Sequence, residues 1–146
     1  MPALTRALLL PLLFVASLAV AQTASSEGIL TQGSWCLDVQ GNHTRASPPP
    51  VGTRVVAAPC AGRITQRWTM LRGDYSRIDG IGGRRLGMGV EANGRAPVVL
   101  ADRHPEIDLR DGALRSDDGR CVTRHGAEVW LEACRPGDPA QRWEMR

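Results

Sequence analysis

One phrase used twice constrains this 146-residue chain more than any other feature. Trp35-Cys36-Leu37-Asp38-Val39 is followed by Cys60 and then by Gln66-Arg67-Trp68. Near the C-terminus, Cys121-Val122-Thr123 is followed by Cys134 and then by Gln141-Arg142-Trp143. A chain that restates one short grammar is a repeat protein, whose units are too small to bury an apolar face alone and share a core. The first unit covers about 28–72 and the last about 111–146, which leaves room for a middle unit over 73–110. There Asp74-Tyr75-Ser76-Arg77-Ile78 matches the opening turn and strand. Arg85-Leu86-Gly87-Met88 replaces Cys-Leu-Asp with Met88 at the Asp position, and Ala96-Pro97-Val98-Val99-Leu100 supplies the Val-rich strand. Ile107-Asp108-Leu109 replaces Gln-x-Trp with Leu109 at the Trp position, and both cysteines are gone.

Within the units nothing has helical periodicity. The apolar runs are short and β-branched, and Gly, Pro, Asn or Asp interrupts them every several residues, which is an all-β pattern. Sixteen Gly and ten Pro supply the turns such a chain needs. Pro48, Pro49 and Pro50 place the Gly41 to Pro50 stretch in a loop, because proline cannot sit in a central strand.

Residues 1–21 read as a secretory signal peptide: Arg6, an apolar run from Ala7 to Val15, then the small-residue pattern Ala19-Val20-Ala21, with cleavage before Gln22. Pro11 and Ser17 break that run below the length of a membrane span, and no later run is long enough to hold the mature chain in a bilayer. Residues 22–27 are small and polar and read as a flexible lead-in, so the folded domain is 28–146. Export to an extracellular or periplasmic space suits a chain with four Cys, since disulfides persist there.

The function classes that composition excludes are as informative. A formal charge of +3 is too small a bias for a nucleic-acid partner. All eighteen basic residues are Arg, which removes Schiff-base and phosphate-loop lysines. His43, His104 and His125 lack paired metal spacing, and Gly80-Ile81-Gly82-Gly83 and Gly87-Met88-Gly89 miss the phosphate-loop spacings and read as turns. The chain therefore reads as non-enzymatic, with no metal or cofactor.

Cys-Leu-Asp, a Val-rich strand, a closing Cys and Gln-x-Trp together resemble the repeat of the ricin B-type lectins. That resemblance implies a β-trefoil, three pseudo-repeats of four short strands around a shared barrel core. Four Cys allow three pairings, and one bridge inside each Cys-bearing unit selects Cys36 with Cys60 and Cys121 with Cys134. Loops of roughly 25 and 14 residues would each stabilise by about 3 kcal/mol in the chain-entropy model. Trp68 and Trp143 become core residues, while Gln66 and Gln141 tie the backbone of their own units.

The resemblance also implies an activity: a secreted, lectin-like module that binds glycans, of galactose type. The family's Asp of Cys-x-Asp accepts hydrogen bonds from neighbouring sugar hydroxyls, as an ionised carboxylate does well. Only Asp38 keeps that role, with Thr123 and Met88 at its place elsewhere, so at most one family-type site is expected, in the first unit. The family's aromatic platform, two residues before the second Cys, is Ala58, Ala101 and Glu132 in the three units. The polar residue near the start of that strand is Val56, Val99 and Trp130. A shifted site would draw on Asn42 and His43, beside Arg45, on the adjoining loop, with Gln66 facing the sugar secondarily. Asp38 then has two readings, a sugar acceptor open at a groove mouth or a capping carboxylate of the Asp38 to Asn42 loop. The alternative function is a degenerate trefoil that binds a protein partner, inhibitor-like or toxin-subunit-like, and no sugar.

Overall fold

Short strand-forming runs joined by tight turns pair here with their chain neighbours, and the last residues return to the first. A computed structural model describes residues 15–17, 24–73, 76–103 and 107–146. The expected signal peptide lies outside the described residues except for 15–17, which carry no regular structure. So do Asp74 and Tyr75 of the second unit's opening, and His104.

The first unit holds β2 (Leu30–Gln32), β3 (Trp35–Val39), β4 (Val55–Pro59) and β5 (Trp68–Arg72), preceded by β1 (Ala24–Gly28). The second holds β6 (Arg77–Asp79), β7 (Arg85–Met88), β8 (Ala96–Ala101) and β9 (Ile107–Arg110). The third holds β10 (Ala113–Ser116), β11 (Arg120–His125), β12 (Glu128–Ala133) and β13 (Glu144–Met145). Helical geometry among the described residues is confined to single 3-10 turns at Ile64–Gln66, Ile81–Gly83 and Pro139–Gln141. Each unit's last strand pairs with the next unit's first: Met70 faces Ile78, Leu109 faces Leu114, and Met145 faces Leu30 to close the ring. This is the expected β-trefoil, three pseudo-repeats of four strands around one core.

Two-residue turns of type I′ need positive φ at both central positions, which is why Asn-Gly and Asp-Gly recur in hairpins. Asp111 (φ 50°) and Gly112 (φ 77°) join β9 to β10 in this way, and Asn93 (φ 54°) and Gly94 (φ 76°) make the turn between Ala92 and Arg95. Gly28 is required for a different reason. A Cβ there would lie 2.2 Å from the carbonyl oxygen of Arg146, where Ile29 and Arg146 exchange backbone hydrogen bonds next to the β2–β13 pair.

Strand register aligns the units without reference to sequence. Leu30, Ile78 and Leu114 are equivalent, as are Leu37, Leu86 and Val122, then Ala57, Leu100 and Leu131, and all lie in the core at 0–2% exposure. Fully burying each of the larger side chains stabilises by about 1.5–3 kcal/mol. The same register corrects the middle unit twice. Gly87, facing Val99, stands where Asp38 faces Val56 and Thr123 faces Trp130, so the Asp position is Gly87 and not Met88. Ile107, two residues before the Leu109–Leu114 pair, stands where Trp68 and Trp143 precede theirs, and it is fully buried. Leu109, expected at the Trp position, instead matches Met70 and Met145 at the edge of the core. The loss of Gln, Trp and Cys from this unit left its alignment to spacing alone, which a slip of one or two residues satisfies equally well. Gly87 and Met88 also belong to β7, so that glycine run is a strand rather than a turn.

The lead-in is the other correction. Residues 24–27 are not loose: β1 pairs antiparallel with β5 over its whole length, from Ala24 against Arg72 to Gly28 against Trp68. Backbone pairing needs no apolar side chains, so the polar Ser-Ser-Glu composition did not disclose it.

Both expected bridges are present, Cys36 to Cys60 and Cys121 to Cys134.

Candidate functional site

Alternation along β3 sends Leu37 and Val39 into the core and Cys36 and Asp38 to the opposite face. That face is also covered. Cys36 is bonded to Cys60, and the segment that follows turns through Ile64–Gln66 and lays Gln66 over the strand. Gln66 Oε1 accepts from the Ala61 amide at 2.8 Å, and its Nε2 donates to Pro59 O at 3.0 Å and to Asp38 Oδ2 at 3.2 Å. Trp68, two residues on, donates its indole N–H to Leu37 O at 3.0 Å.

Asp38 is consequently buried, with its side chain 5% exposed. Arg63, from the same covering segment and 54% exposed, donates to Asp38 Oδ2 at 2.6 Å. The other carboxylate oxygen, Oδ1, is buried and has no hydrogen-bond partner among the described residues. Neither sequence reading of Asp38 describes this arrangement. It does not stand open at a groove mouth, and its side chain bonds to the Arg63–Gln66 segment rather than capping the Asp38 to Asn42 loop. Arg63 escaped the sequence reading because nothing marks it locally: 25 positions from Asp38, it arrives there because β4 pairs back along β3 and the Cys36–Cys60 bridge ties the segment that follows.

The third unit repeats the scaffold and lacks the charge. Gln141 Oε1 accepts from the Arg135 amide at 2.7 Å, and its Nε2 donates to Ala133 O at 3.0 Å and to Thr123 Oγ1 at 2.9 Å. Trp143 donates to Val122 O at 3.0 Å. The backbone-tying role expected for both glutamines therefore holds in both units. Glu132, opposite Cys121 at the platform position, is held by His125 at 2.6 Å and Arg135 at 3.3 Å. Asp138, which caps the Pro139–Gln141 turn, lies below the usual carboxylate range, chiefly because the Ala140 amide donates to it and then because Arg135 pairs with it.

Ala58 and Ala101 occupy the platform position opposite Cys36 and Arg85, so neither offers a ring there. Trp130, opposite Thr123, is packed by two guanidinium groups, Arg54 at 4.7 Å and Arg95 at 3.8 Å from the ring centre. Asn42 is exposed, and His43 places Nε2 3.0 Å from Gln40 O in its own loop. The structure thus brings Asp38 and Gln66 together and adds Arg63, while Asn42 is exposed and His43 bonds within its own loop.

No protein-family model and no curated protein sequence matches the chain. Solved structures do. A designed 3-fold symmetric protein, ThreeFoil, aligns with a TM-score of 0.62 at 18% identity, covering 82% of this chain and 96% of its own. The Rhizoctonia solani agglutinin aligns with a TM-score of 0.62 at 14% identity, covering 87% of this chain and 98% of its own. At such identities the likeness establishes the trefoil fold, and does so over nearly the full length of each neighbour.

Proposed function

We propose that the chain is a secreted carbohydrate-binding module of ricin B type, with one family-type sugar site, in the first unit, and galactose-type glycans as its ligands. The observation that carries this reading is the Asp38 carboxylate. It is the one acidic residue at its position in the three units, it is held in place by Gln66, its Oδ2 is covered by a half-exposed guanidinium, and its Oδ1 is buried and unbonded among the described residues. A sugar hydroxyl pair that displaced or bridged Arg63 would meet an ionised acceptor and a rich donor in one place, and charge-assisted bonds of that kind are the strong ones. The agglutinin among the structural neighbours supports the reading at the level of the fold. Two disulfides support export, and among the described residues no helix is long and apolar enough to cross a membrane.

The alternative, a trefoil that binds a protein partner instead of a sugar, is favoured by one specific observation: Arg63 closes over Asp38, and Ala58 leaves no ring beside it. A glycan array followed by titration of galactosides separates the two. The lectin reading expects binding by the wild type and a loss of about tenfold or more in Asp38→Asn, which keeps the shape and removes the charge. A silent array, or an Asp38→Asn variant that binds as well as wild type, would overturn it and leave the protein-binding reading.

A further inference from the structure

The junction between the first and second units holds a cavity of about 440 Å³, in the size range of small-ligand sites. Its floor is a polar row crossing three strands. Glu27 of β1 faces Thr69 of β5, and Thr69 faces Asp79 of β6, so the three side chains stand side by side on one face. Ile64, Arg67, Arg45 and the Gly80 to Gly83 turn complete the lining. The turn is locked from behind, since a Cβ on Gly82 would lie 2.6 Å from Pro48.

The chemistry of this lining is specific. Two carboxylates are balanced by two guanidiniums, which disfavours a charged ligand of either sign. The internal pairing is incomplete. Arg67 lies 3.6 Å from Glu27, and Asp79 spends only Oδ2, on Arg77 at 3.3 Å, while its Oδ1 is buried with no hydrogen-bond partner among the described residues. Carboxylate acceptors, exposed or half-exposed guanidinium donors, a hydroxyl and the apolar Ile64 side chain are what a polyhydroxylated ring needs, because such a ring offers donors and acceptors on its edge and C–H groups on its face.

A comparable cavity at the junction of the third and first units serves as an internal control. It also measures about 440 Å³ and carries Arg142, the counterpart of Arg67 in the second Gln-Arg-Trp motif. There Thr31 stands at the place of Asp79 and Glu144 at that of Thr69, and β1 contributes no Glu27. The first junction is therefore distinguished by where its carboxylates stand, on both sides of a central hydroxyl, with Glu27 on the strand that sequence did not anticipate.

We infer that this inter-unit cavity is a second binding site, for a neutral mono- or disaccharide, built from Asp79, Glu27, Thr69 and Arg67 and independent of Asp38. The test is amide chemical-shift mapping on the isotope-labelled chain with galactose, glucose, mannose, lactose and maltose at about 10 mM, well above a millimolar Kd. One of these sugars should shift Thr69 and Gly80 to Gly83. Asp79→Asn should weaken that binding by about tenfold or more, the loss expected for a charge-assisted pair of bonds, and Asp38→Asn should leave it unchanged. Arg67→Ala, at a half-exposed position, should weaken the same binding and provides the test should Asp79→Asn fold poorly. Shifts confined to Cys36, Asp38 and Gln66 would uphold the first-unit site and overturn this one. No shifts at either place, or full binding by both cavity variants, would also overturn it.

Discussion

Arg63 lies over Asp38 with its guanidinium 2.6 Å from Oδ2, a half-exposed cation covering a carboxylate that is 5% exposed. The asymmetry of that pair decides how each partner responds to removal. Truncating Arg63 lets water reach the carboxylate, so Arg63→Ala should cost only about 1 kcal/mol, as for exposed pairs. Asp38→Ala removes an acceptor of the buried Gln66 amide as well, and should cost about 1–3 kcal/mol. Urea melts of both single variants and the double variant check this. A loss of 3 kcal/mol or more in Arg63→Ala would mean a stranded charge, and would contradict the picture of Arg63 as a displaceable cover.

Gln66 and Gln141 are each held by three side-chain hydrogen bonds, so Ala at either position should lose about 2–4 kcal/mol. Glu at the two positions should behave differently. Gln66→Glu sets a second carboxylate 3.2 Å from Asp38, whereas Gln141→Glu faces the Thr123 hydroxyl at 2.9 Å. Melting temperatures should fall further for Gln66→Glu at pH 7, because two like charges at that distance repel. Equal melts at neutral pH would show that the residue 66 side chain does not meet Asp38 in the folded chain.

Asp118 has a carboxyl pKa lowered from 3.8 to about 2, first by the side-chain bond from Arg120, whose Nη2 lies 2.7 Å away, and then by Ser116 and the Arg120 amide. Because the native value lies below the unfolded one, protonation favours unfolding. The contribution is complete above about pH 4 and is lost as pH falls through about 2. Asp118→Asn should therefore melt below wild type at pH 7, with the difference shrinking between pH 4 and pH 2. A difference that stays constant over that window would remove Asp118 from the acid response.

The fold was legible because its determinants are local and repeated. The repeated Cys and Gln-x-Trp grammar, and the family resemblance it carries, pointed to both disulfides, both structural glutamines and the core places of Trp68 and Trp143. Each of those signals lies within one unit, where chain neighbours are also spatial neighbours. What only the tertiary structure decided lies between segments. Arg63 reaches Asp38 through a disulfide loop, β1 reaches β5 by backbone bonds indifferent to side chains, and Glu27, Thr69 and Asp79 become a row through two strand registers. The middle unit's alignment belongs to the same class, because Leu109 and Met88 fit the spacing as well as Ile107 and Gly87 until cross-strand pairing selects between them. Sequence alone determined the repeat and its core; pairing across the chain decided which polar groups meet, because no residue carries a local mark of the distant strand it will face.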